Sequence, residues 1–132
     1  MREANEQLIR RLFEVWGRGD LDEAVGMFAE DAVFHVPGAN AISGTFRGHE
    51  GVLDLWRRQI RLSEGSFRPQ LVSVEPGTDH VAITVDITAE RDGVTYSWRR
   101  IVEYRIEGNE IVEASVAEGD QEAADAFFAA GD

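Results

Sequence analysis

Apolar residues fall at Leu8, Ile9, Leu12, Phe13 and Trp16, three and four positions apart, so the chain opens with an amphipathic helix whose apolar face ends at Gly17. Gly17-Arg18-Gly19 breaks that helix. Asp20 then caps a second one, Glu23 stands at capping-box spacing, and Leu21, Ala24, Val25 and Phe28 share a face that runs up to Asp31. Ala32-Val33-Phe34-His35-Val36 is rich in β-branched and aromatic residues and reads as a strand stopped by Pro37-Gly38. Gly48 reopens a helix from His49 to Leu62, with Val52, Leu53, Trp56 and Ile60 inward and Arg57, Arg58 and Arg61 solvated.

Beyond Leu62 the apolar period shortens to alternation. The runs Ser66 to Glu75, His80 to Glu90, Val94 to Glu107 and Glu110 to Glu118 are separated by Pro76-Gly77, Asp92-Gly93 and Glu107-Gly108-Asn109, which are turn signals. They predict a four-strand antiparallel meander, and the length of its middle runs predicts a strongly bent sheet. Asp120 caps a short final helix with Ala124, Phe127 and Phe128 along its apolar edge and Gly131 beyond its end.

Composition narrows the chemistry. The 132 residues suit one domain over 1–132 with a substantial core. A formal net charge of -12 argues against nucleic acid and anionic membrane surfaces, and points to small, weakly charged partners. Cysteine is absent, which removes disulfides, thiolate nucleophiles and Cys-bound zinc; all 13 basic residues are Arg, so no lysine can form a Schiff base. The amino-terminal helix is charged and lacks an apolar signal core, and no window reaches the length of a membrane span, so a cytoplasmic protein is expected.

The segments GDLDEAVGMFAEDAVFHVPG (19–38) and GTFRGHEGV (44–52), with DQEAADAFFA (120–129), resemble the nuclear transport factor 2-like superfamily, and within it the SnoaL-like group of polyketide cyclase and ketosteroid isomerase relatives. The resemblance implies an α+β cone: three N-terminal helices packed on a strongly bent, mainly antiparallel sheet, a short C-terminal helix, a hydrophobic cavity and a homodimer. It implies a small-molecule enzyme doing cofactor-independent proton transfer, of isomerase, cyclase, lyase or hydrolase type, on an apolar cyclic substrate. The same fold also serves as a noncatalytic ligand-binding or homodimeric interaction domain. Ketosteroid isomerases place a catalytic aspartate where this chain has Val36, an oxyanion tyrosine near Leu12 and a protonated aspartate near Val102. Limonene epoxide hydrolases carry an Arg-x-Asp pair and a further aspartate where this chain keeps Arg100 but has Val102 and Val116.

The residues themselves offer other candidates. On the third meander strand Tyr96, Trp98, Arg100, Val102, Tyr104 and Ile106 share the apolar face, against Thr95, Ser97, Arg99, Ile101, Glu103 and Arg105 on the other. Arg100 is thus a permanent cation on a dry face, requiring a carboxylate or an anionic ligand. It is either a structural ion pair with Glu118, Asp86 or a partner across a dimer contact, or a site residue that stabilises developing negative charge. Glu118 shares a face with Val112, Ala114 and Val116, and Asp120 continues that direction; each is a candidate acid or base, while Asp120 is equally a helix cap. His35 is the remaining proton-transfer candidate. If Phe34 and Val36 face the cavity, His35 points away from it, unless a bulge before Pro37 reverses the parity. His49 and His80 read as surface residues, no metal spacing joins the three histidines, and no cofactor is expected. Trp16, Val36, Trp56, Tyr96, Trp98, Val102, Tyr104 and Val116 are the expected cavity lining, with simple core packing the alternative for each aromatic.

Overall fold

A computed structural model describes residues 2–129. The chain forms α1 (Arg2–Gly17), α2 (Leu21–Val25), β1 (Phe28–Val36), β2 (Gly44–Arg47), α3 (Gly48–Leu62), β3 (Arg68–Pro76), β4 (His80–Arg91), β5 (Val94–Glu107), β6 (Glu110–Glu118) and α4 (Gln121–Phe127). One six-stranded sheet runs in the order β2-β1-β6-β5-β4-β3. β1 is parallel to β6 and every other pairing is antiparallel, so the meander is present and the sheet is mixed at its β1 side. The position expected to stop the last helix, Gly131, lies outside the described residues.

The inner face of the sheet is closed by helices. Ile9, Leu12 and Val15 of α1 and Val52, Leu55 and Trp56 of α3 are buried in one core with Val81, Ile83, Val85 and Ile87 of β4. Each such side chain contributes about 1.5–3 kcal/mol by leaving water, so the packing of helices on sheet holds the fold. Along β5 burial alternates strictly, with Trp98, Arg100, Val102, Tyr104 and Ile106 inside and the odd positions exposed. α4 closes the sheet further along: Phe127 and Phe128 are fully buried, and Phe127 meets the rings of Tyr96 and Trp98 at 4.9 and 5.7 Å.

Four local expectations are corrected. The second helix stops at Val25, not Asp31, because Gly26 ends it and Phe28 is already paired with Ile111 of β6. β2 adds an edge strand that the sequence pattern did not single out; it pairs Phe46 with Phe34 and Thr45 with His35. The buried stripe of α3 is Val52, Leu55, Trp56 and Gln59, leaving Leu53 and Ile60 half-buried. On β6 a register shift opposite Arg105 and Ile106 brings Ile111 inward, fully buried, while Val112 is half-buried.

The loop between β1 and β2 is tied down to α4. Asp125 accepts from Ala39 N at 3.1 Å and Asn40 Nδ2 at 2.7 Å, and Ala41 N donates to Phe128 O at 2.8 Å. Gly38, at φ +97, lies so close to Gln121 and Asp125 that any Cβ there would collide with them.

Candidate functional site

A cavity of about 60 Å³ lies between α1, α3 and the inner face of the sheet. Leu12, Phe13 and Trp16 reach it from α1, Leu55, Trp56 and Gln59 from α3, Phe34 and Val36 from β1, and Arg100, Val102 and Tyr104 from β5. Phe13, Trp16 and Pro69 are the half-buried members of its wall, so the mouth opens between α1 and the start of β3, and the other lining residues are buried. Such a volume holds about two waters or a group of a few heavy atoms. Anything larger would extend through the aromatic mouth.

Arg100 sits at the polar end of this cavity, 7% exposed. Its guanidinium grips Glu118 in a fork, Nε to Oε1 at 2.8 Å and Nη2 to Oε2 at 2.9 Å, while Nη1 donates to Gln59 Oε1 at 3.0 Å. The Glu118 side chain is 1% exposed and takes a further bond from Trp98 Nε1 at 3.2 Å. Antiparallel pairing of β5 with β6 sets Arg100 directly across from Glu118, which explains the fork. The Phe67 ring lies under the guanidinium with its centre 5.6 Å away. Of the partners open to Arg100 in the sequence, the fold selects Glu118. Asp86 instead pairs with Arg99 on the outer face, at 2.9 Å.

Tyr104 lines the same cavity and is 4% exposed. Burial pushes its phenol far above the usual tyrosine range, against a smaller opposing effect of the Arg100 charge, so the hydroxyl stays protonated.

The other candidates lie elsewhere. Asp120 is exposed and caps α4, accepting from Ala123 N at 3.0 Å, so its carboxylate serves the helix terminus rather than the cavity. His35 points to the outer face because Val33 to His35 pair regularly with both neighbours and Val36 continues the pairing with β2. The irregularity in β1 lies upstream, between Phe28 and Val33, and the parity before Pro37 is not reversed. There its Nε2 meets Glu113 Oε2 at 2.8 Å, and Arg105 Nε also donates to Glu113 at 3.4 Å. His35 and then Arg105 hold the Glu113 carboxyl below the usual range, against a partial opposing effect of desolvation. Tyr96 and Trp98, on the inner face, are taken up by the rings of Phe127, at the end of α4, and of Phe128, which follows it, and Val116 packs in the core; none of these three is part of the cavity wall. Of the expected lining, Trp16, Val36, Trp56, Val102 and Tyr104 surround the cavity. His49, read as a surface residue, is half-buried with its ring at 2.7 Å from Phe28 O, where it ties the start of α3 to β1; His80 is exposed beside Asp79.

Gln59 is the site residue that sequence reasoning missed. Its signal was available: it stands three residues after Trp56 and seven after Val52, on the apolar stripe, where a polar residue needs a partner. Among the described residues lining the cavity there is no carboxylate and no imidazole, and no cluster of three His, Asp or Glu is placed to hold a metal ion. Among the described residues no helix is long and apolar enough to cross a membrane.

Comparison with known proteins agrees with the fold. The SnoaL-like domain family matches residues 9–114. The uncharacterized protein Rv0034 of Mycobacterium tuberculosis is 31% identical over 128 residues, covering 96% of this chain and 98% of its own. Among solved structures, Bal32a from a soil-derived mobile gene cassette superposes with a TM-score of 0.92 at 25% identity, over 96% of this chain and 98% of its own. A nuclear transport factor 2-like protein from Burkholderia xenovorans superposes at 0.82 with 17% identity, over 97% of this chain and 98% of its own, a likeness of fold.

Proposed function

The chain belongs to the SnoaL-like domain family, and from that premise we propose that it binds a compact, neutral, mainly apolar molecule in the cavity between α1, α3 and the sheet. One observation carries this reading: the cavity wall is apolar and aromatic apart from Gln59, Arg100 and Tyr104, and its described residues include no side chain that exchanges a proton near neutral pH. Arg100 is neutralised by Glu118 at 2.8 and 2.9 Å, which favours a neutral occupant over an anionic one. Noncatalytic binding therefore stands first.

The enzymatic reading, cofactor-independent proton transfer on an apolar cyclic substrate, draws support from Glu118. Its carboxylate lies directly behind Arg100, and a shift of that side chain would open a buried acid toward the ligand. A thermal-shift screen of small neutral cyclic compounds, followed by mass spectrometry of each binder after incubation, separates the two. Binders recovered unchanged support a binding domain, and a converted binder establishes turnover. A screen in which no compound raises Tm overturns both. The outer sheet face carries Ile101, 45% exposed, among polar residues, and we propose that this face pairs two copies. Light scattering at micromolar concentration then gives twice the monomer mass; a monomer overturns it.

A further inference from the structure

Gln59 and Arg100 constrain each other in a way that specifies the ligand. A guanidinium carries only donors, so the amide of Gln59 must turn its oxygen to Arg100 Nη1, as it does at 3.0 Å. That leaves Gln59 Nε2 with two N–H groups and no acceptor among the described residues. The Tyr104 hydroxyl likewise has no hydrogen-bond partner among them. Yet no side-chain nitrogen or oxygen of the described residues is both sealed in and unpartnered, so both groups reach open space, and both residues line the cavity between α1, α3 and the sheet. Two residues with free donors, one on α3 and one on β5, thus line one small cavity.

We infer that Gln59 Nε2 and Tyr104 Oη recognise a carbonyl oxygen at the deep end of a compact neutral ligand, with Arg100 acting as the positioning residue that fixes the amide of Gln59. A carbonyl oxygen has two lone pairs to match the two donors of Gln59 and Tyr104, and among the described lining side chains no free carbonyl or carboxylate acceptor competes with it. The apolar remainder of the ligand lies toward Phe13, Trp16 and Pro69, where aromatic faces meet the solvent. The inference rests on the cavity being a ligand site, as proposed above.

Acetophenone and α-methylstyrene have nearly the same shape and differ by an oxygen in place of a methylene, so titrating both into 15N-labelled protein and following the indole signals of Trp16 and Trp56 tests it. Wild type is expected to bind the ketone about tenfold more tightly than the olefin, as two modest net hydrogen bonds give. Tyr104→Phe should lower ketone affinity about fivefold and leave the olefin unchanged, with Tm retained because the lost hydroxyl had no protein partner. Gln59→Glu keeps an oxygen for Arg100 and replaces the donor by an acceptor, so it should abolish the ketone preference. If the olefin binds as tightly as the ketone in wild type, or if Tyr104→Phe weakens both equally, carbonyl recognition is overturned while the cavity reading stands. If neither probe perturbs Trp16 or Trp56, the cavity reading fails and this inference with it.

Discussion

Arg99 and Arg100 are neighbours on β5, each paired with a carboxylate from an adjacent strand, and they mean different things to the molecule. Arg99 reaches Asp86 on the outer face, with side chains 56% and 47% exposed, where water and salt screen the pair. Arg100 reaches Glu118 on the inner face, with side chains 8% and 1% exposed, where each is, among the described residues, the only charged partner the other has and water is excluded. Chemistry and spacing are alike, and one step along a pleated strand changes the environment. An ion pair is therefore only as consequential as the face it occupies.

Breaking the inner pair from one side should give the largest effect. Arg100→Leu strands the Glu118 carboxylate in the core and should cost about 3–5 kcal/mol in urea denaturation; a loss under about 1 kcal/mol would refute the idea that each charge depends on the other. Removing both charges sharpens the point: Arg100→Met combined with Glu118→Leu should recover most of that loss, since two apolar residues need no partners, whereas additive losses would contradict it. Asp120→Ala, which removes a helix cap away from the cavity, should cost about 1 kcal/mol and leave acetophenone binding unchanged; altered binding would restore Asp120 to the site.

The outer pair should give the smallest effect and an acid-dependent one. Arg99, through its hydrogen bond and charge, holds the Asp86 carboxyl below its ordinary value of 3.8. A depressed carboxylate contributes stability that is present above the unfolded value and lost as pH falls through the folded one. Asp86→Asn should therefore sit slightly below wild type in Tm at pH 7, and the gap should close below pH 3.8; a gap that persists in acid would mean that the charge was not its source.

Much of this contrast was legible in the sequence. Strict alternation along β5 placed Arg100 inside and Arg99 outside, because side-chain direction in a strand follows parity alone. Parity also turned His35 away from the cavity, once β1 proved regular after Val33. What escaped was set by pairing partners distant in sequence. Phe28 fits a helical face, yet β6 claims it for a strand through Ile111. Val112 shares parity with Ala114, but the register shift beside Arg105 hands the inward place to Ile111. Gln59 looked like one polar residue among many, and its importance comes from Arg100, 41 positions away.

The parallel contact between β1 and β6 bears on how the chain folds. His35 and Glu113, bonded across it, are 78 positions apart, and β6 is also the strand that supplies Glu118. The β3 to β6 meander forms by local turns, whereas joining β1 to it closes a long loop, which slows assembly. Until that closure Phe34 and Val36 lack their cover, whereas Arg100 already faces Glu118 within the β5–β6 pairing. The cavity and the ties between the β1–β2 loop and α4 therefore mature together in a late step, and the refolding rate should depend more on the β1–β6 contact than on any turn of the meander.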